Sequence, residues 1–440
     1  MRLRMKLKHA RKTGILDVSD MNLTEMPEFP TGITTLICEN NQLTSLPLLP
    51  AGLKKLRCRK NALTSLPALP EGLDLMDCGV NKLTALPTLP PMLANMWCDS
   101  NLVRELPVLP ETLTFLYASY NPNLESLPEL PKALEYLYVS HCALRSLPYL
   151  KNNLRTLVCD NNHIETLPQI PWSLSRLDCG HNDIATIPFV KPGVRRLCCE
   201  HNQLTELPTL PYDLHELRCE GNRIERICDL PRELVKLRCE GNRIERIGDL
   251  PKKLVKLRCG DNRLTGLPRL PTTLEKLYCE GNELTRLPDI PSGMLKLSCE
   301  DNQLQFLPKL PKSIVTLSCK RNPWNPQFET QLRNVMPEEY HGAEHGGWRL
   351  IRYLDLNWGP EAVKEKNNKY VQAAAQYNHT MVKLKKSARK LILIHQGLLH
   401  NTRLNGDVLN LVCSFLSGTK GPLKKQLKVM EQVYTTGVVL

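Results

Sequence analysis

Residues 53–72, LKKLRCRKNALTSLPALPEG, carry the signals that the rest of the chain repeats. Leu53, Leu56, Cys58, Asn61 and Leu63 follow the spacing L-x-x-L-x-C-x-x-N-x-L. Leu56 and Cys58 alternate with Arg57, which predicts a short strand with one face turned inward and Arg57 turned out. Asn61 falls where the chain leaves that strand, and its amide can satisfy backbone groups that a buried turn would leave unpaired. Pro67 and Pro70 then fix φ and bias the residues before them toward extended geometry, so the return segment is expected to be extended or polyproline-like.

The next unit begins at Leu73, and the period is twenty residues. Of the 17 cysteines, Cys38, Cys58, Cys78, Cys98, Cys159, Cys179, Cys199, Cys219, Cys239, Cys259, Cys279, Cys299 and Cys319 keep that beat. The asparagine recurs as Asn41, Asn61, Asn81, Asn101, Asn121 and Asn162, then every twentieth residue to Asn322; Cys142 stands in its place once. Fifteen units run from Leu36 to Asn322, with a partial one around Leu16, Val18 and Leu23. One unit cannot bury its own apolar face, but a stack of fifteen or sixteen makes a continuous core. The expected fold is an α/β-type repeat solenoid with one curved parallel sheet on its inner side, roughly 70 Å along the arc at about 4.8 Å per coil.

In such a stack the repeated cysteines form a buried column of thiols, not the close-set disulfide framework of a small secreted domain, which points to a reducing, intracellular compartment. The protein is expected to be soluble, because no stretch approaches the roughly 18 apolar residues of a membrane span and Met1–Lys12 is no secretory signal. The formal charge of +13 sits at the ends. Residues 1–12 carry six basic and no acidic side chains, and residues 323–440 carry 16 basic against 9 acidic, so of the 58 basic and 45 acidic residues 36 of each remain between. A neutral array argues against nucleic acid as the main partner.

The double-proline stretches, such as Leu43-Thr44-Ser45-Leu46-Pro47-Leu48-Leu49-Pro50, resemble the short leucine-rich repeats of the YopM and IpaH effector families of bacterial pathogens. Similar arrays occur in large DNA viruses of protists. The resemblance implies a leucine-rich-repeat horseshoe with its sheet on the concave face, and an effector-like protein that binds a protein partner inside a host cell. The IpaH branch adds a catalytic domain with a nucleophilic cysteine beside an acidic residue. Here Cys413 is the one cysteine past the array, lies between Val412 and Ser414 in an apolar segment, and has no Cys-x-Asp around it. His341 and His345 are separated by Gly342, Ala343 and Glu344 and followed by Gly346 and Gly347, a poor frame for a helical metal pair. No phosphate-binding loop or G-x-S-x-G elbow occurs. No enzymatic activity, metal or cofactor is therefore expected.

The outward strand positions give the candidate binding residues. Trp97, Phe115, Tyr117, Tyr136 and Tyr138 gather in adjacent columns in a chain with only 5% aromatics, as a contact hot spot would; cross-strand packing is the alternative reading. Farther along, Arg196, Arg218, Lys236, Arg238, Lys256, Arg258 and Lys276 run beside Glu200, Glu220, Glu240, Glu280 and Glu300. These columns either neutralise one another or form a mixed-charge recognition surface. One extra residue in Tyr120–Leu124 predicts a loop or bulge that alters the curvature, and LRCEGNRIERI occurs twice, at 217–227 and 237–247.

The chain divides into a basic arm or cap helix over 1–12, the array over 13–322 and a helical region over 323–440. Within the last, Lys383, Lys385, Lys386, Arg389 and Lys390 mark a basic helix. Leu404, Val408, Leu409, Val412, Phe415 and Leu416 lie at helical spacing in a segment that resembles the opening of an F-box over 404–416. That likeness implies docking on a Skp1-like adaptor through Leu404, Val408, Leu409, Val412 and Leu416, with Asn405 where the family has proline; a plain helical cap is the alternative reading of the segment.

Overall fold

The computed structural model describes residues 2–326, with 312 excepted, and these belong to one compact unit. Sixteen short strands form a single parallel sheet in strict sequence order, from Ile15–Asp17 to Thr316–Ser318. Each strand is three residues long with its central residue buried, as in Lys55–Arg57 around Leu56. Partners are twenty residues apart, Leu36 on Leu56 and Leu56 on Met76, except at the one step that pairs Leu116 with Leu137. Inside the solenoid, Leu53, Leu56, Cys58 and Leu63 are fully buried, and with their equivalents, which are slightly more open toward the ends, they form one continuous core. Each buried leucine contributes about 1.5–3 kcal/mol, all of it dependent on neighbouring coils.

Helix Arg2–Thr13 closes the first end of the stack. Ala10 is fully buried, Leu3 and Leu7 pack on the core, and Lys6 pairs with Asp17 at 3.5 Å. Gly14 at φ 72° ends the helix, its N–H donating to the Ala10 carbonyl at 2.8 Å.

The asparagine column binds coils together. Asn182 is buried; its Nδ2 donates to the carbonyls of Cys159, Cys179 and Gly180, and its Oδ1 accepts the Ile164 N–H at 2.9 Å. One side chain thus satisfies backbone groups of its own coil and the preceding one. The thiols act similarly but more weakly: Cys199 Sγ donates to Arg218 O at 3.3 Å and Cys239 Sγ to Arg258 O at 3.3 Å. All sixteen cysteines among the described residues are free, and all but Cys228 are buried. Burial pushes the Cys38 and Cys319 thiols up to about 12, which keeps them protonated and unreactive.

Between Cys and Asn the chain bends through the left-handed region, for instance at Lys60 (φ 56°), Val80 (φ 52°) and His181 (φ 51°). The extra residue near Pro122 does not bulge the sheet. It is taken up in a turn past the strand, and the pairing Phe115 on Tyr136, Leu116 on Leu137 stays in register. The two identical stretches produce a second, two-stranded sheet on the outer side, Arg226–Ile227 with Arg246–Ile247. Other coils carry a proline where these have Cys228 and Gly248; here the freed Gly248 N–H donates to Ile227 O at 2.7 Å. A Cβ on Gly248 would lie 2.2 Å from Cys228 O, so these coils stack too closely there for any other residue.

Candidate functional site

Strands Asn95–Trp97, Phe115–Tyr117 and Tyr136–Tyr138 are consecutive, and their outward residues fall in two register-matched columns. Trp97 and Phe115 have ring centroids 4.7 Å apart, Phe115 and Tyr138 5.6 Å, Phe115 and Tyr136 6.1 Å, and Tyr117 meets Tyr138 edge-on at 5.5 Å. The five aromatics named from the sequence are therefore one contiguous patch. Pairing of this kind adds about 0.5–1.5 kcal/mol per contact, so ring packing accounts for part of the arrangement. It does not account for the open hollow of about 450 Å³ beside the rings, lined by Arg59, Asp77, Trp97, Phe115, Tyr117 and Tyr138.

The polar wall of that hollow went unread in the sequence. Arg59 reaches across a whole coil to Asp99, with Nη1–Oδ1 2.8 Å and Nη2–Oδ2 2.7 Å, and touches Asp77 Oδ1 at 3.3 Å on the way. The route is open because Gly79 occupies the coil between; a Cβ there would lie 2.3 Å from Arg59 Nη1 and 2.5 Å from Asp99 Oδ1. Hydrogen bonding to Asp99 raises the Arg59 pKa. Burial raises that of Asp77, against the pull of the Gly79 N–H and Arg59, and burial together with Asp99 raises that of the Tyr117 hydroxyl. A fixed bidentate pair beside pre-packed rings is a surface already ordered before any partner arrives, which reduces the entropic cost of binding. The one sequence signal for it is Gly79, where neighbouring coils carry Arg59 and Asp99.

Farther along the sheet the charges form a chain of pairs. Asp178 accepts from Arg176 and from Arg196 at 3.2 Å, Arg196 also meets Glu216 at 3.2 Å, and Glu216 accepts from Arg218 at 2.8 Å with Lys236 at 3.8 Å. Arg238 faces Glu220 at 3.8 Å and Arg258 faces Glu240 at 3.4 Å. Arg218, Lys236, Arg238 and Arg258 are thus each beside a carboxylate, whereas Lys256 instead lies over the Tyr278 ring, 5.8 Å from its centroid. The glutamates sit low: Oε2 of Glu200, Glu220, Glu240 and Glu280 has no hydrogen-bond partner, and burial lifts the Glu220 carboxyl to about 7. The position after cysteine is more enclosed than the alternation suggests, with Asp99, Ser119 and Ser140 buried.

A second aromatic set, also unread in the sequence, stands on the outer turns: Tyr149, Trp172, Phe189 and Tyr212 are all exposed, and Lys191 lies over both Trp172 (4.7 Å) and Phe189 (5.0 Å). Among the described residues no group of three or more His, Cys, Asp and Glu is placed to hold a metal, and no helix is long and apolar enough to cross a membrane. Leu404, Val408, Leu409, Val412 and Leu416 lie outside the described residues.

No protein-family model matches the chain, and no curated protein matches it. Among solved structures, YopM from Yersinia enterocolitica is 33% identical, with a TM-score of 0.60 over 73% of this chain and 81% of that one. YopM from Yersinia pestis, described as a leucine-rich effector protein, is 32% identical with a TM-score of 0.66, covering 73% of this chain and 92% of that one. The functional domain of InlJ from Listeria monocytogenes, which includes a cysteine ladder, is 27% identical with a TM-score of 0.59 over 67% and 69% of the two chains. The shared architecture is the leucine-rich-repeat horseshoe, with the parallel sheet on its concave side.

Proposed function

This chain belongs to the leucine-rich-repeat family that includes YopM, and from that premise we propose that it is a non-enzymatic binding protein whose concave sheet holds a protein partner at Trp97, Phe115, Tyr117, Tyr136 and Tyr138. The observation that carries the reading is the continuous ring patch opening on the hollow beside Arg59 and Asp77. Aromatic anchors next to a recess are what concentrates binding energy in protein interfaces. The face is a preassembled sheet, so little ordering is needed on this side of the complex. The column of free, buried thiols suits a reducing compartment, and the likeness to an effector supports action inside a host cell. In the adaptor form of the reading, the array selects a target and residues 404–416 recruit a Skp1-like protein.

Affinity capture from a host-cell lysate with the full-length protein tests both forms. A partner held by the concave face is lost in Trp97→Ala/Tyr117→Ala and kept in Leu409→Asp. A Skp1-like protein recruited by the tail shows the opposite pattern. Capture that is the same in the aromatic variant as in the unaltered chain would sink the reading.

A further inference from the structure

Lys236, Lys256, Lys276 and Lys296 stand directly opposite one another on four successive strands. The coil spacing puts their Cα atoms about 4.8 Å apart, and like charges placed opposite on a sheet destabilise it. The neighbouring column does not relieve them, because Arg238 and Arg258 are engaged by Glu220 and Glu240 of the preceding coils. Lys236 has Glu216 at 3.8 Å, but no carboxylate lies within ion-pair distance of Lys256, Lys276 or Lys296 among the described residues. The ammonium of Lys256 is held below its usual pKa, first by burial and then by Arg258, Arg238 and Lys276, with Glu240 offsetting this only in part. Beside this column, one residue before each strand, Val235, Val255, Glu275 and Leu295 are half-buried, so the adjoining row is apolar except for one carboxylate.

We propose that this lysine column is the docking line for an acidic, extended segment of the protein partner, whose carboxylates meet Lys256, Lys276 and Lys296. The inference rests on the concave sheet being the partner surface and adds the chemistry of what is bound. Charge complementarity names the occupant, and the width of the positive strip limits it. Glu240, Glu280 and Glu300 follow Lys236, Lys276 and Lys296 by four residues, about 13 Å along an extended strand. A nucleic acid broad enough to cover both columns would set phosphates against those glutamates. A single peptide segment crossing the coils can follow the lysine column with Glu275 the one carboxylate in the adjoining row, and its binding follows ionic strength as a screened surface interaction does.

The test is fluorescence anisotropy of a short, labelled polyglutamate peptide with the full-length protein at low ionic strength. Saturable binding is expected, weakened about tenfold or more in Lys256→Glu/Lys276→Glu/Lys296→Glu and less in the corresponding triple glutamine variant. A charge reversal of equal size on the N-terminal helix, Arg4→Glu/Lys8→Glu/Arg11→Glu, should leave affinity unchanged, and circular dichroism checks that each variant folds. Equal loss in the helix and lysine variants, or preference for a DNA duplex that depends on the three lysines, overturns the proposal. If polyglutamate does not bind while lysate capture still depends on Trp97 and Tyr117, this inference falls and the broader one stands. If capture does not depend on those rings, the broader reading falls.

Discussion

The N–H of Leu124 donates to the carbonyl of Asn121 at 3.0 Å, three residues back in its own coil. In other coils the equivalent N–H is taken by the asparagine side chain of the following coil, as when Leu144 donates to Asn162 Oδ1 at 3.0 Å. The partner for Leu124 would be residue 142, and that is Cys142, whose thiol donates toward Ala118 O and Ser140 O but supplies no amide oxygen. The extra residue near Pro122 and the loss of asparagine at 142 are two halves of one exchange. The inserted turn satisfies locally the donor that the cysteine cannot.

A double-mutant cycle measures that exchange. Deleting Asn123 alone removes the turn and leaves a buried N–H unpaired, at a cost of about 1–3 kcal/mol. Combined with Cys142→Asn, which restores the usual amide, the deletion should cost distinctly less, with a coupling of at least about 1 kcal/mol. Urea denaturation followed by circular dichroism reads all four corners; additive losses would show that the two features are unrelated.

The Arg59–Asp99 clamp leads to a second expectation, for Gly79. An alanine Cβ enters the path of both side chains, and Asp99 is nearly sealed, with a side-chain exposure of 3%, so it cannot turn to water. Gly79→Ala should lower stability by about 1–3 kcal/mol and close part of the hollow beside Trp97. In an Arg59→Ala background the same substitution should cost much less, because the obstructed contact is already gone. An equal loss in both backgrounds would mean that Gly79 is needed for backbone reasons alone.

What was legible in the sequence was whatever the period repeats. Leu56, Cys58 and Asn61 recur because each coil presents them with the same environment, so one unit predicts strand, buried thiol and asparagine ladder for all. The Arg59–Asp99 clamp was not legible, since it skips a coil and depends on a side chain that Gly79 lacks. The left-handed bend before asparagine also leaves no consistent letter: Asn40, Lys60, Val80, Tyr120, His141 and Gly221 all occupy it. The outer two-stranded sheet is marked only by absence of proline at Cys228 and Gly248. Of the site, the ring columns followed from alternation, but the hollow needed three dimensions.

Val80 is the one β-branched residue in that left-handed column among the described residues, at φ 52°. Such a side chain crowds the backbone there, whereas asparagine tolerates the conformation and glycine has no Cβ to clash. Val80→Asn is expected to stabilise the array by about 1 kcal/mol, with Val80→Gly a smaller gain because it also frees the unfolded chain. A rise in the urea midpoint for the asparagine variant checks this; a fall would mean that contacts of the valine methyls outweigh the backbone strain.

The stacked glutamates give a pH dependence of definite sign. Burial, with Glu240 and Glu200 adding like charge, raises the Glu220 carboxyl from 4.5 to about 7, and a hydrogen bond from its own backbone N–H and then Arg238 offset this only in part. Between those values the folded protein holds a proton that the unfolded chain has released, so stability falls as pH rises through the window. The contribution is complete below about 4.5 and lost above about 7. Glu216 behaves in the opposite sense: burial acts to raise its pKa, but Arg218, Arg196 and Lys236 hold it below the usual value, so its effect lies at more acid pH. Glu220→Gln should therefore be more stable than the unaltered protein at pH 8, by at most about 3 kcal/mol, with the difference shrinking toward pH 4.5. Paired urea titrations at the two pH values decide it. A difference that stays constant with pH would mean that the glutamine acts by packing and not by removing a buried charge.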